Sequence, residues 1–155
     1  MKRIFSWWKL AFWLYLVWLA AFVVVKFDGH PADLLDRMER FAAIRAKEPG
    51  FNLNLQPFES IRMQLRHWDE GWALKNLVGN ALAFVPFGCL LPQAYGRLRR
   101  LWKVGLVSLA SICAIEVFQY VTLLGACDID DLILNMLGCL GGYLLFWLMT
   151  RGKQT

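Results

Sequence analysis

Charged residues make up only 19% of the 155-residue chain, and histidine occurs only twice. Neither a Ser-His nor a Cys-His couple stands out, and no histidine pattern suits a metal. The four cysteines, Cys89, Cys113, Cys127 and Cys139, lack the close pairing of a metal motif. Three of them lie inside apolar runs, so they read as buried free thiols and say little about redox compartment. Internal repeats and low-complexity segments are absent. No A-x-A-like cleavage site follows the first apolar run, which therefore reads as a membrane span and not a signal peptide.

What the chain has in abundance is apolar surface: 58% hydrophobic residues, with eight Trp and eleven Phe. This composition fits one all-α integral membrane domain over residues 1–155. Four apolar runs approximate bilayer spans, at about residues 10–27, 72–91, 101–124 and 132–149. Between the first two lies a mixed-charge stretch, 28–71, expected to form a long amphipathic helical loop. Leu34, Leu35, Met38, Phe41 and Ile44 recur at helical spacing there, with Asp33 and Asp36 early and Arg45 and Lys47 late. Pro49-Gly50 ends that helix, and a second piece carries Phe58, Ile61, Leu65 and Trp68 on one side. Such a loop reads as an interfacial cover over the bundle.

Basic residues are distributed unevenly. Lys2, Arg3 and Lys9 precede the first span, Arg97, Arg99, Arg100 and Lys103 flank the second connection, and Arg151 and Lys153 follow the last span. The connection Gly125–Asp131 has three acids and no base. The long loop from Lys26 to Lys75 holds eight basic and eight acidic residues, so it cancels. The positive-inside rule then puts both termini in the cytoplasm and the acidic turn outside, in a multi-pass plasma-membrane protein. The net charge of +5 is accounted for by the membrane, and nucleic acid is not an expected partner.

The polar residues inside the spans are the candidate site. Asp128, Asp131, Asn135, Gly138 and Gly142 step by three or four residues and share one helix face. Asp128 and Asp130 also suit capping of that helix, whereas Asp131 and Asn135 continue inward, where no cap is needed. Glu116 and Gln119 form a second polar pair, Asn76 and Asn80 a third. From helix rise, Asn135 lies roughly 6 Å and Glu116 roughly 12 Å below the outer ends of their spans. All of these groups fall in the outer half of the bilayer, which predicts one ligand-binding cavity lined by Asn76, Asn80, Glu116, Gln119, Asp128, Asp131 and Asn135. A carboxylate at mid-span costs about 3 kcal/mol on insertion scales. With no intramembrane Lys or Arg in view, hydrogen bonds from Asn80, Asn135 or water are the expected relief. Gly138-x-x-x-Gly142 permits close helix packing, and Pro86 marks a kink.

The run Asn76-Leu-Val-Gly-Asn80-Ala-Leu-Ala-Phe84-Val-Pro86-Phe-Gly88-Cys-Leu-Leu-Pro92, then Glu116-x-x-Gln119, then Asp128-Ile-Asp-Asp131-x-x-x-Asn135-x-x-Gly138 resembles the VanZ-like membrane protein family. Asn54-Leu55-Gln56-Pro57-Phe58 is similar to that family's shorter motif at the end of the first loop. One departure is Gly125, where many members carry Arg. The resemblance implies a cell-envelope role. The founding member is associated with low-level resistance to teicoplanin, and most relatives have no established activity.

Four function classes remain open, a purely structural role among them. One is a binding protein whose outer-leaflet cavity holds a lipid headgroup, amphiphile or cation, with membrane lipids or a lipid-linked envelope component as partner. Another is an intramembrane enzyme using Glu116 with Asp131 or Asp128 as general acid and base. In a cation-binding variant, Mg²⁺ or Ca²⁺ sits on Asp128, Asp131 and Glu116. Four helices alone are a small transporter, so a transport role requires a homo-oligomer. No cofactor is implied.

Overall fold

The computed structural model describes residues 7–25 and 31–151. The parts of the charge argument resting on Lys2, Arg3, Lys26 and Lys153, and the end of the first run at Phe27, lie outside the described residues. So do the side chains of Asp33 and Leu34.

Seven α-helices, one short 3₁₀ turn and one two-residue strand pair make up the described chain. Helix α1 (Trp7–Val25) is uniformly apolar apart from Lys9, and α2 (Pro31–Lys47) is amphipathic. Strand β1 (Leu53–Asn54) leads to the short helix α3 (Glu59–Arg66). Helices α4 (Gly71–Ala83) and α5 (Val85–Ala94) follow, then a 3₁₀ turn at Gly96–Leu98 and α6 (Leu101–Thr122). Strand β2 (Cys127–Asp128) enters the last helix, α7 (Ile129–Arg151).

Three segments are long and apolar enough to cross a bilayer: Gly71–Ala94, Leu101–Thr122 and Ile129–Arg151, with a shorter apolar helix at Trp7–Phe22. Each extends or trims the run read from composition by a few residues. The first of the three is broken at Phe84. Pro86 takes the second position of α5, where a missing N–H leaves no hydrogen bond unmade, so it restarts the helix. Next to the break, the buried Tyr15 hydroxyl donates to the Ala83 carbonyl at 2.7 Å, giving that carbonyl a partner from α1.

Helix α7 is the centre of the bundle, packed against α4, α5 and α6, while α1 packs on α5. Glycine explains the approach. A Cβ at Gly138 would stand 1.9 Å from the Ala81 carbonyl oxygen, one at Gly142 1.9 Å from that of Val85, and one at Gly88 1.9 Å from that of Cys139. Backbone therefore meets backbone along the α4–α5/α7 seam, which is how helices associate where lipid removes the hydrophobic incentive. Phe12, Tyr15, Leu19, Phe84, Phe87, Leu91, Val104 and Ile112 fill the space around it.

The break expected at Pro49-Gly50 follows the end of α2 at Lys47. Between it and α3 lies a parallel pair, with Leu53 opposite Cys127 and Asn54 opposite Asp128. Two residues of pairing are too few to leave an alternating sequence signal. Along and beside α3, Phe58, Leu65 and Trp68 are exposed while Ile61 is half-buried.

Candidate functional site

Three nearly consecutive acids open α7, and the backbone sends them to three different places. Asp128 immediately precedes the helix. One of its carboxylate oxygens accepts from the Asp130 amide at 2.8 Å, an N-cap that satisfies an otherwise orphaned donor. The same carboxylate takes the Ser60 hydroxyl and, at 3.4 Å, the Asn54 side-chain amide. Asp130 is fully buried and points the same way. Its two oxygens accept the backbone amides of Phe58, at 2.5 Å, and Ile61, at 3.0 Å. It thus caps α3, a helix more than sixty residues earlier, and holds Phe58 in the left-handed conformation (φ 67°) that a bulky residue adopts only at a cost.

Further bonds fasten the segment 45–60 to the α6–α7 turn. Asn52 is buried, and its side-chain amide donates to the carbonyls of Tyr120 and Gly125, while its backbone carbonyl accepts from the Cys127 amide at 2.9 Å. The Arg45 guanidinium donates to the Tyr120 carbonyl at 3.2 Å and lies 4.3 Å over the Tyr120 ring. Asp130→Ala is therefore expected to strip two partly buried amides of their acceptor and lose two charge-assisted bonds, each worth about 1.5–3 kcal/mol. A fall in melting temperature, with faster amide exchange confined first to residues 52–66, is the expected result. Unchanged exchange across α3 would show that the cap carries no weight.

Asp131 turns inward. Its carboxylate accepts the Asn80 side-chain amide across the α4–α7 contact. Glu116, 4% exposed on α6, accepts the Asp128 backbone amide at 3.2 Å. The relief expected for Glu116 from Asn80 or Asn135 is thus supplied in part by the backbone of the turn, and Asn80 serves Asp131. Gln119 is buried one turn above Glu116, and a Cβ at Gly125 would lie 3.4 Å from its carboxamide.

These groups border a pocket of about 340 Å³. Asn76 and Asn80 come from α4, Glu116 and Gln119 from α6, Asp131 and Asn135 from α7, so six of the seven expected residues share it. Asp128 does not line it, because the capping geometry directs its carboxylate toward Ser60 and Asn54. For the same reason Asp128, Asp131 and Glu116 do not converge on a cation. No group of three or more metal-binding side chains occurs among the described residues. Asn135 is 5% exposed and its side-chain oxygen accepts no hydrogen bond among the described groups. An unpaired buried amide oxygen costs about 1–3 kcal/mol unless a donor reaches it.

Sequence reasoning passed over Lys75, which lines the pocket from an exposed position at its rim. It was counted with the charge-balanced loop. The signal was its place beside Asn76, on the face that Gly79 and Ala83 continue into the pocket at helical spacing. Phe22, Phe84 and Ile115 supply the apolar part of the lining. Two carboxylates, four carboxamides, one cation and an apolar flank can take hydrogen bonds and charge of both signs at one end, and hydrocarbon at the other.

A family model described as VanZ/LLP1 matches residues 12–150. The chain belongs to the VanZ/LLP1 family. Among curated proteins, it is 28% identical over 138 residues to Protein VanZ of Enterococcus faecium, covering 89% of this chain and 72% of that one. No solved structure matches it significantly. The VanZ/LLP1 match runs through all the pocket residues, from Phe22 to Asn135, and the chain is a VanZ-like membrane protein.

Proposed function

We propose that this VanZ-like protein binds the polar headgroup of a membrane amphiphile, a phospholipid or a lipid-linked envelope component, in the Glu116–Asp131 pocket. In this reading α1 is a fourth span, both termini are cytoplasmic, and the pocket opens in the outer leaflet of the plasma membrane. Helix α3 lies in the interface with Phe58, Leu65 and Trp68 toward lipid. The observation that carries the proposal is the pocket's composition, with hydrogen-bonding groups from three helices beside Phe22, Phe84 and Ile115. The matching family and the relative named Protein VanZ make glycopeptide susceptibility, teicoplanin included, the first phenotype to examine.

Lipid analysis of the detergent-purified protein tests the reading. Gly79 lines the pocket, and the nearest atom to a Cβ there is Phe22 Cζ at 3.7 Å, so Gly79→Leu has room to enter and fill it. A tightly held lipid is expected with the native protein and is expected to be absent from Gly79→Leu. Equal lipid content in both would overturn the proposal.

Orientation is tested at Cys127, which precedes the acidic turn's first Asp. Burial, then the nearby Glu116 and Asp128 charges, push its thiol above the ordinary range. The raised value favours the neutral thiol, and only the thiolate reacts. With the other three cysteines replaced, an impermeant maleimide is expected to label intact cells. The rate should still climb past about pH 8.5, where an unperturbed thiol levels off. Labelling only after lysis would reverse the orientation.

A further inference from the structure

We infer that the ligand of this pocket is a phosphate-bearing primary amine, with phosphatidylethanolamine the expected lipid source. The inference rests on the headgroup-binding reading and narrows it to one class. Its basis is the separation of charge within the pocket. The buried part holds the negative charge: the Glu116 and Asp131 carboxylates, beside the Gln119 carboxamide and the Asn135 side-chain oxygen, the last with no donor among the described groups. The rim holds the exposed Lys75 ammonium and Asn76. A ligand matching that order puts N–H donors and positive charge deep and an anion at the mouth. A phosphoethanolamine headgroup has this polarity, with a primary ammonium distal and a phosphate nearer the glycerol.

The alternatives fail on particular groups. Phosphoglycerol brings hydroxyl donors to Asn135 but no positive charge to face two buried carboxylates. Phosphocholine brings the charge, and Phe22 and Phe84 could stack on it, but a quaternary ammonium has no N–H to donate. It leaves the Asn135 oxygen without a donor. Sites built to hydrogen-bond a ligand discriminate strongly against analogues lacking the donor, because a buried acceptor of the site is then unpaired. A bare divalent cation lacks a three-acid set among the described residues.

The test is native mass spectrometry of the full-length protein released from nanodiscs of equimolar phosphatidylethanolamine, phosphatidylcholine and phosphatidylglycerol, with Gly79→Leu as the filled-pocket control. Phosphatidylethanolamine is expected to be retained at least tenfold over both others. Lys75→Met is expected to lower that retention about tenfold by removing the phosphate partner. Asn135→Leu is expected to narrow the preference over phosphatidylcholine with the melting temperature kept. Soluble phosphoethanolamine is added in a second arm. Weak competition by it assigns the source to lipid, whereas competition as strong as the lipid's own assigns a soluble phosphoamine and keeps the chemistry. Equal retention of all three lipids, lost in Gly79→Leu, would overturn the amine inference and leave headgroup binding standing. No retention above the Gly79→Leu background would overturn both.

Discussion

Gly138→Ala is expected to be among the most destabilising single-methyl additions available in this protein. The new Cβ meets the Ala81 carbonyl oxygen at 1.9 Å and its carbonyl carbon at 3.0 Å. Both are backbone atoms of α4, so no rotamer change can make room. Either α4 moves off α7 by more than an ångström or the seam opens. Overpacking of this kind costs typically 1–3 kcal/mol and occasionally more, and the rigid obstacle puts Gly138→Ala at or above the upper end. Gly142→Ala, facing the Val85 carbonyl at 1.9 Å, should behave alike. The control is adjacent: nothing lies within 4 Å of a Cβ at Gly141. Gly141→Ala should gain up to about 1 kcal/mol from helix propensity alone. Thermal unfolding in detergent checks the set. Equal melting temperatures for the Gly138 and Gly141 variants would mean that the helices do not approach as closely as described. Gly138 is one turn from Asn135, so loss of bound lipid is expected to accompany the unfolding.

Glu116→Leu is expected to abolish ligand retention and complementation while leaving the fold nearly as stable as before. Two opposing effects set the stability. Removing a carboxylate that is 4% exposed relieves a burial cost, and apolar replacements of buried charged groups are often neutral or stabilising. Against that, the Asp128 amide loses the acceptor it reaches at 3.2 Å, and an orphaned amide costs about 1–3 kcal/mol. The two are of similar size, so the net change should be small beside that of Gly138→Ala. Glu116→Gln separates the roles further. Its side-chain oxygen can still accept from Asp128, so the turn should hold, while the charge available to a ligand is gone. If Glu116 served only to glue helices, function would track melting temperature across Leu and Gln. If it serves a site, function disappears in both at nearly unchanged stability. The assay is complementation of a deletion strain under envelope stress, with teicoplanin where the host is susceptible. Full complementation by a stable Glu116→Leu protein would sink the site reading.

Glu116 also favours a second reading, because it shares the pocket with Asp131. Two buried carboxylates in one pocket are what acid–base chemistry inside the membrane would require. The Gln variant separates the two readings: an enzyme would lose turnover yet retain its lipid, whereas a charge-recognition site loses the lipid itself.

Much of this protein was determined by sequence alone, because lipid imposes a strict rule on each position. A residue in a span faces hydrocarbon or it does not, and polar side chains at three- and four-residue steps mark the face that does not. Asp131, Asn135, Gly138 and Gly142 are all buried on one side of α7, as their spacing implies. The three apolar segments from Gly71 to Arg151 were legible for the same reason. Capping was also legible at Asp128, since a carboxylate just before an apolar helix has an amide within reach.

Spacing read Asp131 as continuing inward, but it also placed Asp128 on the same face. What periodicity could not decide is which partners Asp128 and Asp130 reach. The path of the chain through β2 into α7 separates them. It gives Asp130 to the amides of Phe58 and Ile61, Asp128 to Ser60 and Asn54, and Asp131 to Asn80. The bonds that tie these three acids to β1, α3 and α4 join residues more than fifty positions apart, so no local pattern records them. Glu116 with the Asp128 amide is a shorter link, which joins α6 to the turn that follows it. Lys75 belongs here too, because a charge at the end of a span reads as loop until packing shows it facing a pocket. Sequence determined which residues must avoid lipid; tertiary structure decided which of them meet, because hydrogen bonds between distant segments depend on where the backbone brings their ends.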